Sequence, residues 1–151
     1  MLDGTPTYLP NPLAPARVLR TFPGRRMRFV VVLRDPVDRI LSNWRHVLWH
    51  APRYEALGQS KHWTTRLAKT PFNDHVERAI TQFHACVERH RATRRSLLLW
   101  EDCSMLGTDN SLVTISLYDL QLQLWRSMFP ASAFCIISSD ILRTRYDCPL
   151  T

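Results

Sequence analysis

Arg34, Asp35, Pro36 and Ser42 are the residues of this 151-residue chain whose types and spacing best suit chemistry. Arg34 follows an unbroken apolar run, Phe29 to Leu33, and the residues after it open a helix. A cation at the carboxyl end of a buried strand, beside a helix N-terminus, is where α/β folds hold anionic ligands. Its guanidinium offers a fork of donors suited to phosphate, and the Ser42 hydroxyl, two turns along the helix, adds a donor to the same group. The residues also have a plainer reading, in which Arg34 pairs with Asp38 or another carboxylate at the strand end and Ser42 is a surface serine.

The elements that position these groups are legible on either side. Phe29 to Leu33 is β-branched and continuous rather than alternating, which predicts a central parallel strand covered on both faces. Asp35 stands at an N-cap position, Pro36 at the first helical position and Asp38 in the first turn, all of which start a helix. Val37, Ile40, Leu41, Trp44, Val47 and Leu48 recur at helical steps, while Arg39, Ser42, His46 and Trp49 form a second stripe. Ala51-Pro52 is expected to stop the helix.

The run from Arg34 to Ser42, Arg-Asp-Pro-Val-Asp-Arg-Ile-Leu-Ser, resembles the 3′-phosphate-binding motif of the sulfotransferases that use 3′-phosphoadenosine 5′-phosphosulfate (PAPS). In those proteins an Arg and a Ser eight positions later hold the 3′-phosphate. The likeness is greatest to the Golgi carbohydrate branch, the heparan sulfate and chondroitin sulfate types. Asp3-Gly-Thr-Pro-Thr-Tyr8-Leu is similar to the Thr-Pro-x-Tyr segment before that motif. Ser116-Leu-Tyr118 through Trp125, Phe129-Pro130 and Phe134 to Ser139 resembles the branch's later helix and strand. The resemblance implies a P-loop-like three-layer α/β fold with a parallel sheet and helical crossovers. It implies Arg34 and Ser42 as the cofactor-binding residues, PAPS or adenosine 3′,5′-bisphosphate as the nucleotide, no metal, an anionic glycosaminoglycan-like acceptor and a Golgi lumenal setting.

The family's 5′-phosphosulfate loop, a Lys- and Gly-Thr-bearing turn after the first strand, has no match here. Gly4-Thr5 echoes it, yet no Lys precedes the glycine, Pro6 interrupts it and no strand leads in. The expectation is a partial domain over residues 1–151. The first strand, the phosphosulfate loop and the usual catalytic carboxylate would precede Met1, together with any membrane anchor. The terminal Lys/Gly/Arg loop would follow Thr151. Taken alone, such a piece is expected to transfer sulfate weakly or not at all, because a donor held only at its 3′-phosphate leaves the reacting group unanchored. The competing class is a non-catalytic relative that binds an anionic polymer or a partner through its basic surface. A Lys-x-Gly-Thr loop encoded upstream would favour the enzyme.

Charge and composition bound these readings. The formal net charge is +7, and arginines clustered at Arg17 to Arg28 and Arg89 to Arg95 supply much of it. Such a surface suits nucleic acid, an acidic membrane or a sulfated polysaccharide. No zinc pattern or RNA-binding aromatic signature accompanies it, which disfavours nucleic acid. No apolar run approaches the roughly 18 residues that span a bilayer.

The remainder reads as supporting structure. Ala14 to Phe22 is expected to form a short helix ended by Pro23-Gly24. Arg53 to Lys69 reads as a polar loop, which the resemblance would place near the acceptor cleft with Lys61, His62 and Trp63 as acceptor-contact candidates, and which is otherwise an ordinary surface loop. Thr70-Pro71 opens a helix with Val76, Ile80, Phe83 and Val87 on its core face. His84, Cys86 and His90 on that helix lack zinc spacing. Gly107 to Ser111 is a turn, and Leu112 to Phe129 one long helix ended by Pro130. Phe134 to Ile137 is a second parallel strand, with Asp140 beyond it either in the family's acidic position or as a cap for Ile141-Leu142. Cys86 and Cys103 are expected to bridge, like cysteines of some lumenal relatives. Cys135 reads as a buried thiol, and Cys148 has no evident partner.

Overall fold

The structure, a computed structural model, describes residues 4–59, 62–93, 99–104 and 111–141. The chain divides into two compact units: Met1–Asp35 with Tyr118–Thr151, and Pro36–Leu117. Among the described residues the first holds a small parallel sheet, two α-helices and a short 3-10 turn, and the second is helical, a mixture compatible with an α/β fold.

In the first unit, β1 (Phe29–Leu33) pairs in parallel with β2 (Phe134–Ser138), Phe29 opposite Phe134 and Leu33 opposite Ser138. Both strands were expected, as was their direction. One face of the pair packs on α1 (Ala14–Thr21) and α7 (Tyr118–Met128). There Phe29 meets Trp125, Phe129 and Phe134 at ring-centroid distances of 5.2, 4.8 and 5.0 Å, and Ala14, Val18 and Met27 complete the cluster. Edge-to-face and offset rings of this kind add to the burial of their area. The Trp125 indole N–H donates to the Leu9 carbonyl at 3.0 Å, which ties the turn-rich start of the chain to α7. The expectation of a strand covered on both faces is corrected here: Val30 and Val32 are 56% and 49% exposed, although Cys135 and Ile137, their register partners in β2, are buried.

In the second unit, α2 (Pro36–Ala56) buries Trp44, Val47 and Ala51. Trp44 and Val47 cluster with Leu67 and Leu112, and the Trp44 indole stacks on the fully buried His75 ring at 5.6 Å. The helix does not stop at Ala51-Pro52 but continues through Pro52. Its last turn is held from outside by stacking of Tyr54 on His62 at 3.9 Å and by a Lys69–Glu55 ion pair. Its end comes at Gly58, φ 72°, where the Gly58 N–H donates to the Glu55 carbonyl and the Gln59 N–H to that of Tyr54. That hydrogen-bond pair, six-to-one and five-to-two, closes a helix around a left-handed residue.

The expected polar loop over Arg53 to Lys69 instead contains α3 (Trp63–Ala68), with Thr64, Thr65 and Leu67 buried. The His62 side chain caps it, accepting from the Thr64 N–H. In α4 (Phe72–Thr93) the buried residues are His75, Ala79 and Cys86, each one position before Val76, Ile80 and Val87 of the expected Val76, Ile80, Phe83 and Val87 stripe, and Ile80 is exposed. One residue is about 100° of helix rotation, and the Cys86–Cys103 disulfide to α5 (Leu99–Cys103) fixes which face turns inward.

The expected long helix from Leu112 to Phe129 is broken into α6 (Ser111–Thr114) and α7. The Ser116 and Leu117 N–H groups bond three residues back, to Val113 and Thr114, which tightens the chain out of the α-helical pattern. Arg39 reinforces the break: its Nε donates to Ser116 Oγ at 2.6 Å and its Nη2 to the Leu112 carbonyl. Thr114 donates to the Ser104 carbonyl on the other side. The expected Gly107 to Ser111 turn lies, but for Ser111, outside the described residues, as do Cys148 and the Leu142 half of the proposed cap.

Candidate anion site at the carboxyl ends of the strands

Parallel pairing brings both strands to an end on the same side. The Ser139 N–H donates to the Leu33 carbonyl at 2.6 Å, which extends the register one step past the strands, and Arg34 follows directly. Beyond β2, Ser138 Oγ accepts from the Asp140 N–H at 3.3 Å and donates to Asp140 Oδ2 at 3.4 Å, a local turn that fixes that carboxylate. Arg34 itself is exposed and makes no hydrogen bond or ion pair among the described residues. Its donors face solvent at the sheet end where α/β folds place anions.

Ser42 is exposed within α2, in the second unit. The two residues of the expected motif therefore stand on different units, joined by the Asp35–Pro36 bond. Of the acceptor candidates, His62 is engaged as the α3 cap and as the stacking partner of Tyr54, Trp63 is partly exposed, and Lys61 lies outside the described residues.

The other candidate ligands have structural employment. Cys86 is bonded to Cys103, their Cα atoms 5.8 Å apart, as expected. His90 Nδ1 lies 2.6 Å from Asp102 Oδ2. Cys135, read from sequence as a free buried thiol, is disulfide-bonded as well; its burial in β2 is compatible with either state, and the bond has no local signature. Among the described residues, no three His, Cys, Asp or Glu side chains are grouped to hold a metal, and no helix is long and apolar enough to cross a membrane.

Two features escaped the sequence reading. Arg39 looked like another surface cation of α2, and its partners lie 73 and 77 positions away. A groove of about 340 Å³ lined by Arg25, Arg26 and Arg28 also forms at the amino ends of the strands. The run of arginines was visible in the sequence, but the wall opposite it comes from residues 129–133.

Comparison with known proteins gives the class first: the chain corresponds to part of a carbohydrate sulfotransferase domain. It is similar to heparan-sulfate 6-O-sulfotransferase 2 of Danio rerio, with 30% identity over 112 residues that make up 72% of this chain and 23% of that protein. It is also similar to heparan-sulfate 6-O-sulfotransferase 2 of Gallus gallus, 29% identical over 108 residues, 68% of this chain and 26% of the relative. The chain thus spans about a quarter of the length of these curated relatives. No family model and no solved structure matches it.

Proposed function

We propose that this chain contributes the 3′-phosphate-binding half of a PAPS-dependent sulfotransferase acting on a glycosaminoglycan-like acceptor. The observation that carries the reading is the exposed Arg34 guanidinium, without a hydrogen-bond or ion-pair partner among the described residues, at the carboxyl end of a parallel strand. It is supported by the similarity of most of the chain to two heparan-sulfate sulfotransferases. Arg34 would take two phosphate oxygens through its fork, and the Ser42 hydroxyl would donate to the same group. The bound donor supplies the sulfuryl group, which passes to an acceptor hydroxyl or amine by in-line displacement. This chain's own part is to fix the nucleotide's far end; nothing in it matches the family's base or its phosphosulfate Lys.

On this reading the β1–β2 pair belongs to a P-loop-like three-layer sheet formed within one domain. The Cys86–Cys103 bond and the bonded Cys135 accord with an oxidising compartment such as the Golgi lumen.

The test is binding of adenosine 3′,5′-bisphosphate, with adenosine 5′-monophosphate as the ligand lacking the 3′-phosphate. Arg34→Ala is expected to weaken the bisphosphate by roughly tenfold to a hundredfold, the worth of a hydrogen bond to a charged group, and Ser42→Ala by a few-fold. Neither should change the monophosphate. Equal bisphosphate affinity for wild type and Arg34→Ala overturns the assignment.

A further inference from the structure

We propose that the arginine-lined groove at the amino end of the sheet is a docking surface for a segment of sulfated polysaccharide, separate from the anion site at the opposite end. Arg25, Arg26 and Arg28 line one wall, and Phe129, Pro130 and Ser132 the other. The walls are fixed to each other: Arg28 Nη1 donates to the Ser132 carbonyl at 2.8 Å, and buried Phe129 is held in the Phe29–Trp125 cluster. Arg17 and Arg20 stand exposed on α1, which leads through the Pro23-Gly24 turn into the groove.

The charge here is unbalanced. Between Gly4 and Arg34 the sequence has no Asp or Glu, and every basic residue is Arg. Among the described residues Arg17, Arg20, Arg25 and Arg26 pair with no carboxylate. The unit's described acids lie elsewhere. Asp35 and Asp140 are at the carboxyl ends of the strands, about 16 Å away at ~3.3 Å per residue. Asp119 begins α7, about 15 Å along that helix from Phe129. Four guanidinium groups without a described carboxylate partner, two on the groove wall and two on the helix that leads into it, call for a ligand with several spaced anions.

The chemistry selects among polyanions. Forked guanidinium donors fit sulfate and carboxylate oxygens, whereas a lysine-built patch would act as point charges. Sequence-tolerant nucleic-acid grooves add exposed rings on which bases stack, but Phe129 and Trp125 are buried in the cluster and Phe29 is half-buried. The choice of polysaccharide rests on the proposed glycosaminoglycan acceptor. The groove would hold a stretch of the polymer remote from the nucleotide, adding affinity for long chains.

The experiment compares heparin octasaccharide binding by the 151-residue wild type with two charge-matched variants across a salt series. One is Arg17→Ser/Arg20→Ser/Arg25→Ser/Arg26→Ser. The other removes four exposed arginines of the second unit, Arg45→Ser/Arg53→Ser/Arg78→Ser/Arg89→Ser. The groove variant is expected to bind at least about tenfold more weakly with a shallower salt dependence, and the control variant to lose less than about threefold. Bisphosphate binding should be unchanged in the groove variant. Equal losses in the two variants overturn the proposal. So does single-stranded DNA, or a phosphatidylserine vesicle, that binds as tightly as heparin and depends on the same four arginines. Loss of heparin binding in the groove variant, with bisphosphate binding insensitive to Arg34→Ala, would retire the nucleotide reading and leave the docking surface standing.

Discussion

Arg34 and Arg39 sit five positions apart in one charged run, yet their environments are opposite. Arg34 is exposed and has no partner among the described residues, while Arg39 is partly buried and donates to Ser116 Oγ and the Leu112 carbonyl. Removing the second strands polar groups that the first does not touch. Arg39→Ala is expected to cost about 1.5–3 kcal/mol, the range for hydrogen bonds from a charged group. The melting temperature should fall by several degrees, at about 2–4 °C per kcal/mol for a chain of this size. Arg34→Ala should leave it within about a degree, and thermal unfolding of the two variants side by side checks the contrast. Arg34's place at the strand end was legible from what precedes it, an apolar run ending in charge. Arg39 was not, since the groups that employ it lie far along the chain and no local pattern announces them.

At the scale of elements, local signals located β1, β2 and α1 to within about a residue and failed where tertiary forces won. Pro52 should have ended α2, but the cost of its missing N–H is offset by the Tyr54–His62 stack and the Lys69–Glu55 pair beyond it. The α4 stripe was misplaced by one residue because hydropathy could not see that Cys86 would be tethered inward. The end of α2 yields a further prediction. Gly58 adopts φ 72° with no atom within 4 Å of where a Cβ would stand, so a side chain there meets no clash and only the backbone conformation is penalised. Gly58→Ala is therefore expected to destabilise by about 1–2 kcal/mol, measured by urea unfolding with an unchanged m-value. A change below a few tenths would mean that the turn relaxes.

At the scale of the molecule, the disulfide braces a helical unit with short elements. Cys86 and Cys103 are 17 residues apart, which in the chain-entropy account contributes about 3 kcal/mol. Cys86→Ser/Cys103→Ser should lower stability by roughly that amount. Reductant should bring the wild type at least as low, since Cys135 is bonded too. Equilibrium unfolding with and without dithiothreitol measures both. The parallel strands were readable in advance from their continuous apolar runs, and the bridge because a resemblance supplied the context. The division into two units was not, because nothing in composition changes at Asp35 or Leu117.

That division has a temporal consequence. The second unit is one continuous stretch, whereas the first is assembled from the two ends of the chain. Its Arg28–Ser132 and Trp125–Leu9 bonds join positions 104 and 116 residues apart. Contacts of such long range pay their closure entropy late and form slowly. During synthesis every residue of the helical unit is made before β2, so the pairing of β1 with β2 waits for the whole of residues 36–117. The pairing that sets the strand end before Arg34 is thus among the last contacts of this stretch to form.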